Sequence, residues 1–318
     1  MKIQKLINVF LPLSFLALPG CFGHNVGPAS EVKINQTPER LIRGKYLVMN
    51  VSDCLGCHSK SNANNFGLPM ISGTEGQGGM LFGEDEGLPG NIYAKNITPD
   101  AIGNWTDGEV LRAVTEGVSK DGTALFPLIP YTHLGIMSQD DVYSIIAYIR
   151  TLKPIKNEVP ARTLNFPLNF IVKSMPKKAE FQPIPDKTTT AYGGYLVNAA
   201  GCIECHTQMD KGTPKPGMDF AGGSPFKLKG FGTVRSANIT PDKNTGIGTW
   251  TREQFIARFK QYDTPEAKQI PVKPKEFNTV MPWLALSGMT EEDLGAIYDY
   301  LKTLKPVENK VVKFESES

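Results

Sequence analysis

Two five-residue runs carry the chemistry of this chain: "CLGCH", Cys54 to His58, and "CIECH", Cys202 to His206. In a C-x-x-C-H run the two thiols stand one helical turn apart, so both meet the same edge of a porphyrin and each adds to a vinyl group. The next residue then offers its imidazole to the iron. The pattern predicts two covalently bound haem c groups, held through Cys54, Cys57, Cys202 and Cys205, with His58 and His206 as proximal iron ligands. Zinc sites also use C-x-x-C pairs, but their second pair normally follows within tens of residues. Here the pairs lie far apart, and each has its own histidine. A thioredoxin-like pair would not need that histidine and would sit in a βαβ setting.

The elements that position these runs are duplicated. "GKYLVMNVSDCLGCHS" parallels "GGYLVNAAGCIECHT" with one residue of slippage. "NITPD" occurs at Asn96 to Asp100 and at Asn238 to Asp242, "YIRTLKP" ends at Pro154, and "YLKTLKP" ends at Pro306. The shared order predicts a repeated domain over residues 38–154 and 188–306. Each copy reads as helices joined by long loops. The first helix starts near Pro38 with Leu41, Ile42, Leu47 and Val48 as its apolar stripe. Middle helices open at the capping patterns "TDGE" and "TREQ", from Thr106 and Thr251. Final helices open at "SQDD" and "TEED", from Ser138 and Thr290, and continue with Val142, Ile145, Ile146 and Ile149, or with Leu294, Ile297 and Leu301. Between the copies, residues 155–187 are rich in proline and predict an ordered strap that buries Phe166, Phe170 and Phe181. The glycine-rich stretch Met70 to Gly90 reads as an insertion that the second copy lacks. Residues 307–318 read as a tail.

The totals agree with two small domains. The chain has 318 residues, 40% hydrophobic, with 31 glycines, 24 prolines and a net charge of +2. No basic stripe marks a nucleic-acid surface. At the N-terminus, Lys2 and Lys5 precede the apolar run "LINVFLPLSFLALPG" and then Cys21, the fifth cysteine. The run is too short for a comfortable membrane span and reads as a signal peptide over residues 1–20. "LPGC" predicts lipidation of Cys21, although Pro19 is unusual in such a motif. A simple secretory leader or an uncleaved anchor is the other reading. Residues 21–37 would be a tether, and all readings place the remainder outside the cytoplasm, in the bacterial periplasm.

The order helix, haem motif, middle helix, final helix is that of a class I cytochrome c. The expected fold is therefore mostly α: two tandem class I cytochrome c domains joined by a proline-rich strap. With "NITPD", "TGIGTW", "DFAGGSPF", "NFPLNF" and "MPW", the chain resembles the multihaem cytochrome c subunits of membrane-bound alcohol, aldehyde and gluconate dehydrogenases. Those subunits usually carry three haem domains, and two are legible here. The resemblance implies a distal methionine in an "MP" pair before the last helix, which is Met281 with Pro282 at the second haem. In the first copy Ile129 stands there, and isoleucine has no lone pair. His133, aligned with Ala285, is a spare imidazole in that segment and the candidate replacement ligand. Met70, Met80 or an open site are the alternatives, while Met137 aligns with Met289 and reads as core.

The function that follows is electron carriage by a dihaem protein. A periplasmic or membrane-bound dehydrogenase or a quinol source would be the donor, and a cytochrome or terminal oxidase the acceptor. A dihaem peroxidase-like enzyme, with an open first iron and His133 as base, is the alternative.

Overall fold

The structure, a computed structural model, describes residues 24–84, 87–128, 130–210 and 212–317. The leader, Cys21 and Ile129 lie outside the described residues. Among the described residues no helix is long and apolar enough to cross a membrane.

The two halves follow one order of elements. The first runs α1 (Pro38–Tyr46), α2 (Cys54–His58), β1 (Leu81–Phe82), β2 (Gly90–Tyr93), α3 (Pro99–Ile102), α4 (Asp107–Glu116), α5 (Tyr131–Leu134) and α6 (Gln139–Ile149). After β3 (Thr163–Leu164) and α7 (Leu168–Ile171), the second half runs α8 (Thr190–Ala199) and α9 (Cys202–His206). Four strands follow: β4 (Met209–Asp210), β5 (Thr213–Pro214), β6 (Pro225–Leu228) and β7 (Gly232–Arg235). The chain closes with α10 (Arg252–Lys260), α11 (Trp283–Leu286), α12 (Glu291–Leu301) and β8 (Phe314–Ser316).

Each half is organised by its first helix crossing its last, α1 on α6 and α8 on α12. The crossing is close because each first helix carries a glycine at the contact. A Cβ at Gly44 would overlap the carbonyl of Ser144, and one at Gly193 would overlap that of Ala296. The final helices start where their sequences indicate: Ser138 and Thr290 cap them through the backbone N–H of Asp141 and Asp293. Their apolar rows are buried, with Ile146 and Leu294 fully inaccessible. Thr106 with Glu109 and Thr251 with Gln254 form reciprocal capping boxes on α4 and α10.

Four sequence expectations are corrected. Ile42 is exposed, because α1 ends at Tyr46 and a π-helical turn, Leu47–Val51, takes over. That turn lies where the copies slip by one residue, and a π turn holds one more residue than an α turn. Phe166 and Phe170 are also exposed. They pair edge to face with each other at 6.2 Å, while Val172 and Pro176 turn inward. Of the three phenylalanines only Phe181 packs on the core. The stretch Met70 to Gly90 is not wholly an insertion. Its hairpin β1–β2 has a counterpart in β6–β7, with Gly78-Gly79 matched by Gly222-Gly223 at left-handed φ angles. The shared signal is a glycine pair and one phenylalanine, too little to read as a repeat.

The likeness of the halves also continues past Pro154 and Pro306. β3 adds to β2, pairing Asn91 with Thr163, and β8 adds to β7, pairing Val234 with Phe314. Asn157 reaches back to the carbonyl of Gln77, and Asn309 reaches back to that of Ala221.

Candidate haem-binding site

Each haem motif is one short helix entered through a left-handed residue, Asp53 (φ 43°) before Cys54 and Gly201 (φ 62°) before Cys202. Glycine adopts this conformation freely and aspartate is among the few side chains that tolerate it. Asp53 is missed by a reading of the motif alone. Burial pushes its carboxyl up to about 7, against the stabilising Gly56 N–H. The thiols of Cys54 and Cys202 are half-buried, and those of Cys57 and Cys205 lie on the surface.

The proximal histidines are held alike. His58 Nδ1 lies 2.6 Å from the carbonyl of Lys95, and His206 Nδ1 lies 2.7 Å from that of Ala237. A carbonyl can only accept, so Nδ1 carries the proton and Nε2 keeps its lone pair. Burial lowers the basicity of both imidazoles, partly offset by those carbonyls, and so favours the neutral ring a metal needs.

The "NITPD" runs explain why those carbonyls are in place. Lys95 and Ala237 each precede the run. Asn96 Oδ1 accepts from Thr98 N (2.9 Å) and Thr98 Oγ1 (2.8 Å), and Asn238 does the same with Thr240 at the same distances. Asn96 Nδ2 also ties the run to Ile155 O, and Asn238 Nδ2 ties it to Val307 O, both at 2.8 Å. On the other side, Gly78 N donates to His58 O (2.8 Å) and Gly222 N donates to His206 O (2.7 Å). The residue set fits haem c: two thiols one turn apart and a neutral imidazole with its Nε2 uncommitted. Among the described residues, no group of three His, Cys, Asp or Glu side chains is placed to close around a bare metal ion.

Residues 191–305 match the family model for cytochrome c. This segment is a cytochrome c domain. Such a domain carries covalently bound haem c. Most of the chain resembles cytochrome c subunits of dehydrogenases. It is 28% identical over 291 residues to the cytochrome c subunit of a quinone alcohol dehydrogenase from Gluconacetobacter polyoxogenes, covering 86% of this chain and 58% of that one. It is 28% identical over 320 residues to the cytochrome subunit of fructose dehydrogenase from Gluconobacter japonicus, covering 94% and 60%. The chain thus spans less than two thirds of those subunits. A diheme cytochrome c-type protein from Cereibacter sphaeroides is 27% identical over 271 residues, covering 80% of this chain and 83% of its own.

The distal segments are placed as follows. In the cytochrome c domain, Pro282 caps α11 and Met281 is half-buried against the core. Met137 and Met289 are both fully buried, the core role expected of them. His133, on α5, faces the other half. Its Nδ1 is 2.7 Å from Asn198 Oδ1 and its Nε2 is 2.7 Å from Glu204 Oε1, the glutamate inside "CIECH". As placed, the ring has no nitrogen left for an iron. Met70 is half-buried against the core, and Met80 O accepts from Ala94 N beside β1.

Proposed function

We propose that this chain is a dihaem electron carrier built from two tandem class I cytochrome c domains, with the segment between them as a strap. The observation that carries the reading is the equivalence of the two haem motifs. Each offers two thiols and a neutral imidazole, and each imidazole is held by the carbonyl that precedes "NITPD". Bound haem c supplies reversible one-electron exchange. The chain's own work is to attach it through Cys54 and Cys57 or Cys202 and Cys205, to keep His58 and His206 in the Nε2 form, and to bury the ring. Met281 is the distal ligand of the second haem in this reading, and its soft thioether sulfur raises that potential. The first copy has Ile129 at that position, so the two potentials differ.

The relatives' names support a dehydrogenase as the electron donor, and a cytochrome or terminal oxidase is the acceptor that fits a small carrier. The leader and the lipidation signal at Cys21 support a periplasmic, membrane-anchored placement. The peroxidase-like reading asks His133 to act as a free base, yet both its nitrogens are paired.

Haem counting and a redox titration of the haem-loaded chain test the proposal. The expected result is two haems per chain, reduced in two one-electron steps at different potentials by a quinone-linked dehydrogenase and reoxidised by a second cytochrome. One haem per chain, or peroxide turnover without reduction by any such dehydrogenase, would overturn it.

A further inference from the structure

The loop that carries Met281 is held from the other half of the molecule. Asn278, three residues upstream, is fully buried. Its Nδ2 donates to the carbonyls of Ala63 (2.9 Å) and Asn65 (3.1 Å), and its Oδ1 accepts from Gly67 N (3.0 Å). The same Oδ1 accepts from Thr279 N at 2.8 Å. Thr279 Oγ1 in turn accepts from Met281 N at 3.0 Å. An unbroken hydrogen-bonded path thus runs from the first half's loop to the backbone of Met281.

Apolar contacts flank that path. Phe66 stacks on Tyr262 with ring centroids 5.3 Å apart, and Tyr262 lies 5.6 Å from Trp283. Trp283 N donates to Met281 O at 2.7 Å. Two backbone bonds, Phe66 N to Ile270 O and Val272 N to Asn64 O, lash the loop to the segment that leads into Asn278.

The first half lacks these groups at the matching place. Phe126-Pro127 stand where Asn278-Thr279 stand. Phenylalanine has no amide, and proline has neither an N–H nor a hydroxyl, so this path cannot form there. The copy with a methionine has the clamp, and the copy with Ile129 has none.

We propose that Asn278 and Thr279 are positioning residues through which the first half holds Met281 at the distal face of the second haem. The proposal rests on Met281 being that ligand. A thioether is a weak, neutral ligand, and a flexible loop bearing one would leave the iron readily. Anchoring the loop on a separate packing unit removes that freedom before the sulfur binds. The second haem's ligation then depends on the two halves staying docked.

The test uses the haem-loaded full chain in the ferric state. Thr279→Val keeps the side-chain volume and removes only the last link, and Asn278→Ala removes the whole junction. Each is followed by displacement of the distal ligand with added imidazole, by the weak red absorption of methionine-bound ferric haem, and by the potential of each haem. Loss of one such hydrogen bond is expected to speed displacement roughly threefold to tenfold. It should also lower the second haem's potential while leaving the first unchanged. Unchanged displacement and potential in Thr279→Val would overturn the clamp, and this variant decides if Asn278→Ala does not fold. Met281→Ala separates the two ideas. If the red band survives it, the ligand assignment fails, and the clamp falls with it. If the band is lost there but Thr279→Val behaves as the parent, only the clamp fails.

Discussion

His133 owes its role to its neighbours rather than to its type. Its backbone carbonyl accepts from Asn198 Nδ2 at 3.0 Å, as the carbonyl of Ala285 accepts from Asn50 Nδ2 at 3.0 Å in the opposite direction. The imidazole adds Glu204, whose hydrogen bond raises the ring's basicity against the opposing effect of burial. A double-mutant cycle of His133→Ala and Glu204→Gln is expected to give a coupling of about 0.5–1 kcal/mol, modest because the Glu204 side chain is 53% exposed. A coupling near zero in urea unfolding would mean that the pair does not help join the halves. The two C-x-x-C-H runs and the buried Met137 were legible as residue types at fixed spacing. The carbonyls of Lys95 and Ala237 were not, because any residue has a carbonyl and only the fold aims one at a histidine. Their signal was the "NITPD" run just downstream, recognised as a repeat without its purpose.

Among the elements, the helices with strong caps lie where their sequences place them, since Ser138, Thr290, Thr106 and Thr251 settle their own helix starts locally. The pairs α1 on α6 and α8 on α12 depend instead on glycines whose value appears only at the crossing. Gly193→Ala is expected to destabilise the protein by roughly 1–3 kcal/mol, or to prevent folding, because the new Cβ meets the Ala296 carbonyl, a backbone atom with little room to yield. A thermal midpoint equal to the parent's would show that α8 and α12 separate at little cost. The π turn at Leu47–Val51 and the hairpins were not legible. A one-residue slip has many local solutions, and a strand of two to four residues has almost no periodicity to read.

At the scale of the molecule, the halves meet through bonds that recur with the roles exchanged. Tyr46 Oη donates to Asp293 Oδ2 and Tyr195 Oη donates to Asp141 Oδ2, both at 2.6 Å. Each aspartate is buried near the start of a final helix. Within its own half, each aspartate is also held by the first helix: Arg43 donates two bonds to Asp141, at 2.8 and 2.7 Å, and Tyr192 donates one to Asp293 at 2.9 Å. Separating the halves would strip each buried aspartate of its tyrosine from the other half, and leaving a buried acceptor without that donor is costly. Unfolding of the haem-loaded chain is therefore expected to be a single transition, with the spectra of both haems and the far-ultraviolet dichroism sharing one midpoint. Two separated midpoints would show that the halves are independent.

The sequence by itself determined the two C-x-x-C-H runs, the repeated segments around them, the capped helices and the asymmetry at Ile129 and Met281. These depend on residue type and spacing along the chain. Only the tertiary structure decided that Tyr46, Tyr195, Asp141 and Asp293 belong to one interface, that His133 faces Glu204, and that a loop of the first half reaches the distal loop of the second. Those pairs stand 54 to 247 residues apart in sequence, and nothing in either local stretch names its partner. The partner is chosen by which surfaces remain to be buried once each half has formed.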